Sequence, residues 1–337
     1  MKIAMVGAGA IGGLAAARFI AAGETVTVID QGRHLEAIQR HGLRVTNPDG
    51  TETTARPSRA VASCAEAGPH DLVFLAVKAN VYPTLAPSLQ PLFHDETAVV
   101  PLQNGMPWWY FQNFKGPHAG YRLKNADPDG VVEASIDARR IVGCVVYPAG
   151  ELVAPGLVRH LEGDRFPIGE LDGSTTPRAQ AISDLFVRAG LKSPILDDIR
   201  SEIWLKLWGN LSFNPISALT HATLVDICQE PATRDLAADM MREAQTIAEK
   251  LGVTFRVPLE KRIAGAEKVG KHKTSTLQDV EAGRSVEIDA LIGAVIEMGQ
   301  LTGTPTPHIE AVYALMKLLQ KTMQGEEARV VMMPRAA

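Results

Sequence analysis

The apolar positions change their spacing along the chain. Lys2–Val6, Thr25–Ile29, Asp71–Val77, Thr97–Leu102 and Ile141–Tyr147 are short apolar runs. The continuous ones read as strands buried on both faces of a parallel sheet. Between the first of them lie stretches with helical patterning, Gly13–Ala22 and His34–His41, while Gly42–Ala62 suits a short hairpin excursion. Short β-like pieces continue to Ile168. Strands alternating with helices predict a doubly wound α/β domain. From about Asp197 the pattern lengthens into helices: Ile199–Asn214, Pro231–Leu251, Val286–Leu301 and Pro307–Gln320. The expected organisation is therefore an α/β domain over 1–196, an all-helical domain over 197–325, and a loosely held tail over 326–337.

The first strand breaks into Gly7-Ala8-Gly9-Ala10-Ile11-Gly12, and a helix follows. This order suits a dinucleotide pyrophosphate. Gly7 allows the tight turn, Gly9 admits the phosphates close to the backbone, and Gly12 lets helix and strand pack. Ala10 and Ile11 complete the cofactor-binding loop, and the helix N-terminus supplies free N–H groups. The second strand ends in Asp30, an acid placed to accept hydrogen bonds from the adenine ribose.

Two polar residues follow strands of the same sheet, Lys78 after Asp71–Val77 and Asn104 after Thr97–Leu102. Ligands bind beyond the carboxyl ends of such strands, so both are placed to face the cofactor. The residues alone leave a second reading, a solvated lysine and a turn-forming Asn-Gly pair. The segment Pro107–Asp137 is long for an α/β connection and opens with four consecutive aromatics, Trp108-Trp109-Tyr110-Phe111. A lid over a binding site, a packing hairpin and a dimer contact all remain open.

The stretch Ile199–Asn214 is apolar over most of its surface, as a buried helix is. Lys206, Asn210 and Asn214 nevertheless recur every four residues and form one polar stripe. A buried lysine is costly without partners, so the stripe either lines a polar substrate cleft or faces solvent. Asn214-Pro215 is expected to disfavour further helix. Farther on, Ser275 with Gln278 fits a capping box. Glu287 is expected in the first turn of the next helix, where the dipole favours a carboxylate. Both have purely structural readings beside a functional one.

Composition narrows the classes. Hydrophobic content is 46%, charged content 21% and net charge −4, with no basic block to suit a nucleic acid. The three cysteines are scattered and the nine histidines form no metal-ligand spacing, so no metal site is expected and a reducing compartment is. No leader-like segment and no membrane-length apolar run is visible, so a cytoplasmic location without a membrane partner is expected. Ile247, Leu251 and the Trp108–Phe111 group remain open as core or as a homodimer interface.

Taken together, the glycine loop, Val77-Lys78, Gln103-Asn104-Gly105, Ile203–Leu207 with Asn210 and Asn214-Pro215, and Thr274-Ser275 through Gly283-Arg284 to Glu287-Ile288-Asp289 resemble the ketopantoate reductase family over residues 1 to about 320. The resemblance implies a Rossmann domain, an all-helical domain and an active site in the cleft between them. It implies nicotinamide-dependent reduction of a 2-keto acid, 2-dehydropantoate to pantoate. Lys206 would be the general acid and Glu287 would orient the substrate hydroxyl and the lysine. Asn210, Asn214 and Ser275 would bind substrate, with Lys78 and Asn104 at the cofactor–substrate junction. The chain departs from the family at Gln31, where arginine suited to a 2′-phosphate is frequent, and at Thr276, where methionine is frequent. The Pro107–Asp137 segment is also longer than in compact members. With Asp30 beside Gln31, NAD(H) is expected in place of the family's usual NADP(H). Two alternatives stand beside this reading: an NAD-dependent D-2-hydroxy acid dehydrogenase of the same fold acting on a bulkier substrate, and a non-catalytic NAD-binding regulator.

Overall fold

The computed structural model describes residues 1–333. The chain divides into two compact units. One comprises Met1–Asn104, Trp108–Arg122 and Asp127–Ile199, and the other comprises Gly105–Pro107, Leu123–Ala126 and the chain from Arg200 onward.

The first unit holds eleven strands: β1 (Lys2–Val6), β2 (Thr25–Ile29), β3 (Leu43–Thr46), β4 (Glu52–Ala55), β5 (Arg59–Val61), β6 (Leu72–Leu75), β7 (Ala98–Pro101), β8 (Val142–Cys144), β9 (Ala149–Ala154), β10 (Leu157–Glu162) and β11 (Ile168–Glu170). Five of them form a parallel sheet in the order β5-β2-β1-β6-β7. That order winds outward in both directions from β1, as in dinucleotide-binding sheets. β6 and β7 are buried along their whole length, and β1 from Ile3 onward, because apolar side chains leave water on both faces. A second sheet, β4-β3-β10-β9, contains the β3–β4 hairpin of the expected excursion. The Gly- and Ala-rich helix Ala10–Ala21 runs between the two sheets. A Cβ on Gly12 would stand 2.7 Å from Ala76, just past β6 of the first, and a Cβ on Gly13 would stand 2.9 Å from Val158 of the second. Small residues are what this close packing needs. Phe19, Phe74 and Phe186 interlock beneath it at centroid separations of 5.2–5.7 Å.

Trp108, Trp109, Tyr110 and Phe111 are all buried. Trp108 packs on Tyr82 at 4.8 Å, and the Trp109 ring covers Gly143 of β8, where a Cβ would approach it to 2.8 Å. The four aromatics are therefore packing residues, while much of the chain from Asn113 to Asp129 is exposed. The rings pack because of the area that each removes from water.

Among the described residues, the second unit contains helices and no strand. They are Ile199–Thr220, Leu224–Gln229, Pro231–Lys250, Leu259–Val269, Ser275–Glu281, Ala294–Thr302 and Pro307–Gly325, with a π turn over Asp289–Gly293. Three local expectations are corrected here. The first long helix does not stop at Asn214 but runs through Pro215 to Thr220. Burial of Ile216, Ser217 and Ala218 outweighs the one backbone hydrogen bond that proline removes. Ser275 is not the cap of its helix. Thr274 is, and its hydroxyl accepts the Leu277 N–H at 3.2 Å. Glu287 is not in a first turn but precedes the helical segment, which opens on the π turn. Of the expected tail, residues 328–329 lie against Gly283, and residues 334–337 fall outside the described chain. No helix among the described residues is long and apolar enough to cross a membrane.

Candidate active site

The first unit brings its candidate residues to one edge of the parallel sheet. Gly7 follows β1, Asp30 follows β2, Lys78 follows β6 and Asn104 lies beyond β7. In parallel strands these are all carboxyl ends, so topology alone places them on the ligand edge. Gly7 has φ +85°, and a Cβ there would meet the Ala76 carbonyl oxygen at 2.9 Å. At Gly12 a Cβ would stand 2.0 Å from the Gly7 carbonyl oxygen, whereas at Gly9 it would meet nothing within 4 Å. Two glycines thus serve packing, and the middle one opens onto empty space at the start of helix Ala10–Ala21. No side chain caps that helix and no acid sits in its first turn. The loop fits a dinucleotide pyrophosphate: the N–H groups at the start of the helix, beyond Ala8, and the helix dipole are available to an anion.

The loop is also clamped. The Asp30 carboxylate accepts the Ala8 N–H at 2.7 Å with one oxygen and the Gln31 N–H at 2.7 Å with the other. On the other side of the same residue, His34 Nε2 lies 2.8 Å from the Ala8 carbonyl oxygen. Its Nδ1 accepts the Gly156 N–H at 2.9 Å, so Nε2 carries the proton. Ala8 is therefore held through both its amide and its carbonyl. His34 was not among the sequence candidates, and its position four residues after Asp30 was the available signal. Lys78 is half-buried and caps a 3₁₀ turn over Ala79–Val81, its carbonyl accepting the Val81 N–H at 2.9 Å. Asn104 is half-buried.

In the second unit, helix Ile199–Thr220 buries Trp204, Leu207, Trp208, Leu211 and Phe213. The Trp208 indole donates to the Met241 carbonyl at 2.6 Å and packs on Phe255 at 4.3 Å, which sets the rotation of the helix. Lys206 and Asn210 are half-buried and Asn214 is buried. Asn214 Nδ2 lies 3.4 Å from Ser275 Oγ, bringing two candidates together across sixty-one positions of sequence. Ser275 is exposed and Glu287 half-buried. The loop between them is tied by Arg284, whose Nε donates to Asp279 Oδ1 at 2.8 Å. Glu202, almost wholly buried one turn before Lys206, is neutralised by Arg256 at 2.6 Å. Sequence reading missed that pair, as it missed Tyr313, whose hydroxyl donates to Asp289 at 2.5 Å. Burial, with Asp289 beside it, pushes the Tyr313 phenol well above its ordinary range, so it stays a donor. Among the described residues no group of His, Cys, Asp and Glu is arranged to hold a metal ion.

One half of the chain thus offers a glycine loop open to an anion at the start of a helix, with a carboxylate at its side. The other offers a lysine, two amides, a hydroxyl and a carboxylate. Comparison with known proteins matches both halves. Residues 3–108 match the family model Ketopantoate reductase PanE/ApbA and residues 198–320 match Ketopantoate reductase PanE/ApbA C terminal. A 2-dehydropantoate 2-reductase of Mesorhizobium japonicum is 52% identical over 320 residues, covering 95% of this chain and 98% of its own. A solved structure from Ralstonia solanacearum MolK2, assigned to the ketopantoate reductases, has TM-score 0.91 at 39% identity, covering 96% of this chain and 98% of that one. A D-mandelate dehydrogenase solved with NADH and anilino(oxo)acetate shares the fold, with TM-score 0.82 at 22% identity over 96% of this chain and 100% of that one.

Proposed function

The chain belongs to the ketopantoate reductase family, and from that premise we propose that it reduces 2-dehydropantoate to pantoate, with NADH preferred as reductant. It is an oxidoreductase of the keto/CH–OH class. The observation that carries the residue assignment is the half-buried Lys206, in line with Asn210 and Asn214 on a helix whose other faces are buried apolar.

When bound, the nicotinamide supplies a hydride to the keto carbon. The C=O electron pair moves onto oxygen, and Lys206 Nζ gives that oxygen its proton. Before the transfer, the same ammonium stabilises the growing negative charge. Glu287 holds the ammonium and the substrate hydroxyl in register. Asn210, Asn214 and Ser275 bind the remaining polar groups, and the 3.4 Å approach of Asn214 to Ser275 supports their sharing one ligand. The loop Gly7-Ala8-Gly9-Ala10-Ile11-Gly12 receives the pyrophosphate, Asp30 receives the ribose hydroxyls, and Lys78 and Asn104 adjoin the nicotinamide end. Lys206→Ala tests the assignment. It should lower kcat by about 10²–10⁴-fold and leave NADH affinity, read by fluorescence titration, unchanged. A kcat close to that of wild type removes Lys206 from the mechanism.

A further inference from the structure

The π turn Asp289–Gly293 begins two residues after Glu287. In it the Ala294 N–H donates to the Asp289 carbonyl, one residue farther back than an α-helix would have it. The Ala290 carbonyl takes the Met106 N–H at 2.8 Å. Gly105 makes that approach possible: its φ is +82°, and a Cβ would lie 2.8 Å from the Ala290 carbonyl carbon and oxygen. The other end of the turn is held as closely. A Cβ on Gly293 would stand 2.6 Å from Asn125 Oδ1 and 3.0 Å from Tyr313 Oη. Asn125 is in turn fixed by the buried Glu297, whose carboxylate accepts the Lys124 N–H at 2.8 Å and both the Asn125 N–H and Nδ2 at 2.9 Å.

A π turn is rare and recurs at functional sites. Burying a carboxylate is expensive, and three donors aimed at it make the arrangement a rigid one. The turn's first backbone bond runs from the Leu291 N–H to the Glu287 carbonyl at 3.0 Å, so the path of the turn sets where Glu287 stands. We propose that Glu297, acting through Asn125 and the π turn, is a positioning residue for Glu287. The proposal rests on the role given to Glu287 above.

The test is a double-mutant cycle of Glu297→Gln and Glu287→Gln, with kcat, keto-acid KM, NADH affinity and Tm measured for each protein. Glu297→Gln should lower kcat by about 10- to 100-fold, the scale of a small misplacement of a reacting group, with NADH affinity within about twofold. Because Glu297 acts through Glu287, the double variant should be no slower than Glu287→Gln alone. A merely structural residue would lower Tm and leave kcat per folded enzyme intact, which overturns the proposal. Multiplying losses in the double variant also overturn it. A slow Glu287→Gln beside a wild-type Glu297→Gln defeats this proposal alone, whereas a fully active Glu287→Gln removes the role of Glu287 and the proposal with it. If Glu297→Gln does not fold, Asn125→Ala takes its place in the cycle with the same expected pattern.

Discussion

The Asp30 carboxylate accepts the Ala8 backbone N–H at 2.7 Å. The acid expected to choose between cofactors is thus also a structural tie of the glycine loop. Its remaining lone pairs suit ribose hydroxyls, whereas the 2′-phosphate of NADP would meet a like charge there. The expected preference is NADH over NADPH by at least about tenfold in kcat/KM, some 1.4 kcal/mol. Asp30→Ala should narrow this ratio, and because the loop loses its tie, it should also raise KM for both cofactors. Equal efficiency of the two cofactors in wild type would contradict the reading. A purely electrostatic role for Asp30 would leave KM for NADH unchanged.

Trp109 covers Gly143 and is buried to 1% exposure. Its truncation should therefore act on folding. Trp109→Ala is expected to cost about 3–5 kcal/mol of stability, measured by urea denaturation. The keto-acid KM of the folded fraction should change little. A large KM change at wild-type stability would restore the lid reading.

His70 is buried, with Nδ1 2.7 Å from the Gly68 carbonyl oxygen and Nε2 3.0 Å from Thr27 Oγ1. The carbonyl makes Nδ1 the protonated nitrogen, and Nε2 accepts from the hydroxyl. Burial holds its pKa below the ordinary histidine value, with the nearby Lys2 and Arg59 charges acting in the same direction. The unfolded chain therefore binds more protons than the folded one between the two pKa values, and stability rises with pH there. The contribution is lost as pH falls below about 6.5. Tm should drop between about pH 7.5 and about pH 5.5. His70→Gln should begin lower and fall less over the same interval. Identical pH slopes in the two proteins would exclude His70 as the cause.

Much of this was legible in the sequence because it is local. The glycine loop, the acid at the end of β2 and the stripe Lys206-Asn210-Asn214 each depend on spacing within one or two elements. The long apolar runs at 71–77 and 97–102 likewise marked strands that the structure places side by side as β6 and β7. Errors arose where neighbours distant in sequence decide. The expected break at Pro215 followed proline's local preference, and tertiary burial overrode it. The continuous helix expected from Val286 had the right apolar period, but its start is a π turn packed against Gly105, Met106 and Asn125. Lys124 and Glu297 are 173 positions apart, and no local pattern pairs them. Trp108–Phe111 could not be assigned from sequence because aromatics pack equally well in cores, lids and interfaces.

The central claim is that this fold, with these polar groups, reduces 2-dehydropantoate. Steady-state kcat/KM measured with NADH across 2-dehydropantoate, short 2-keto acids and aryl 2-keto acids tests it most directly. The account predicts that 2-dehydropantoate exceeds every other substrate by at least about tenfold, a difference in transition-state binding of about 1.4 kcal/mol. Preference for an aryl 2-keto acid, or binding of NADH without turnover of any keto acid, would contradict it.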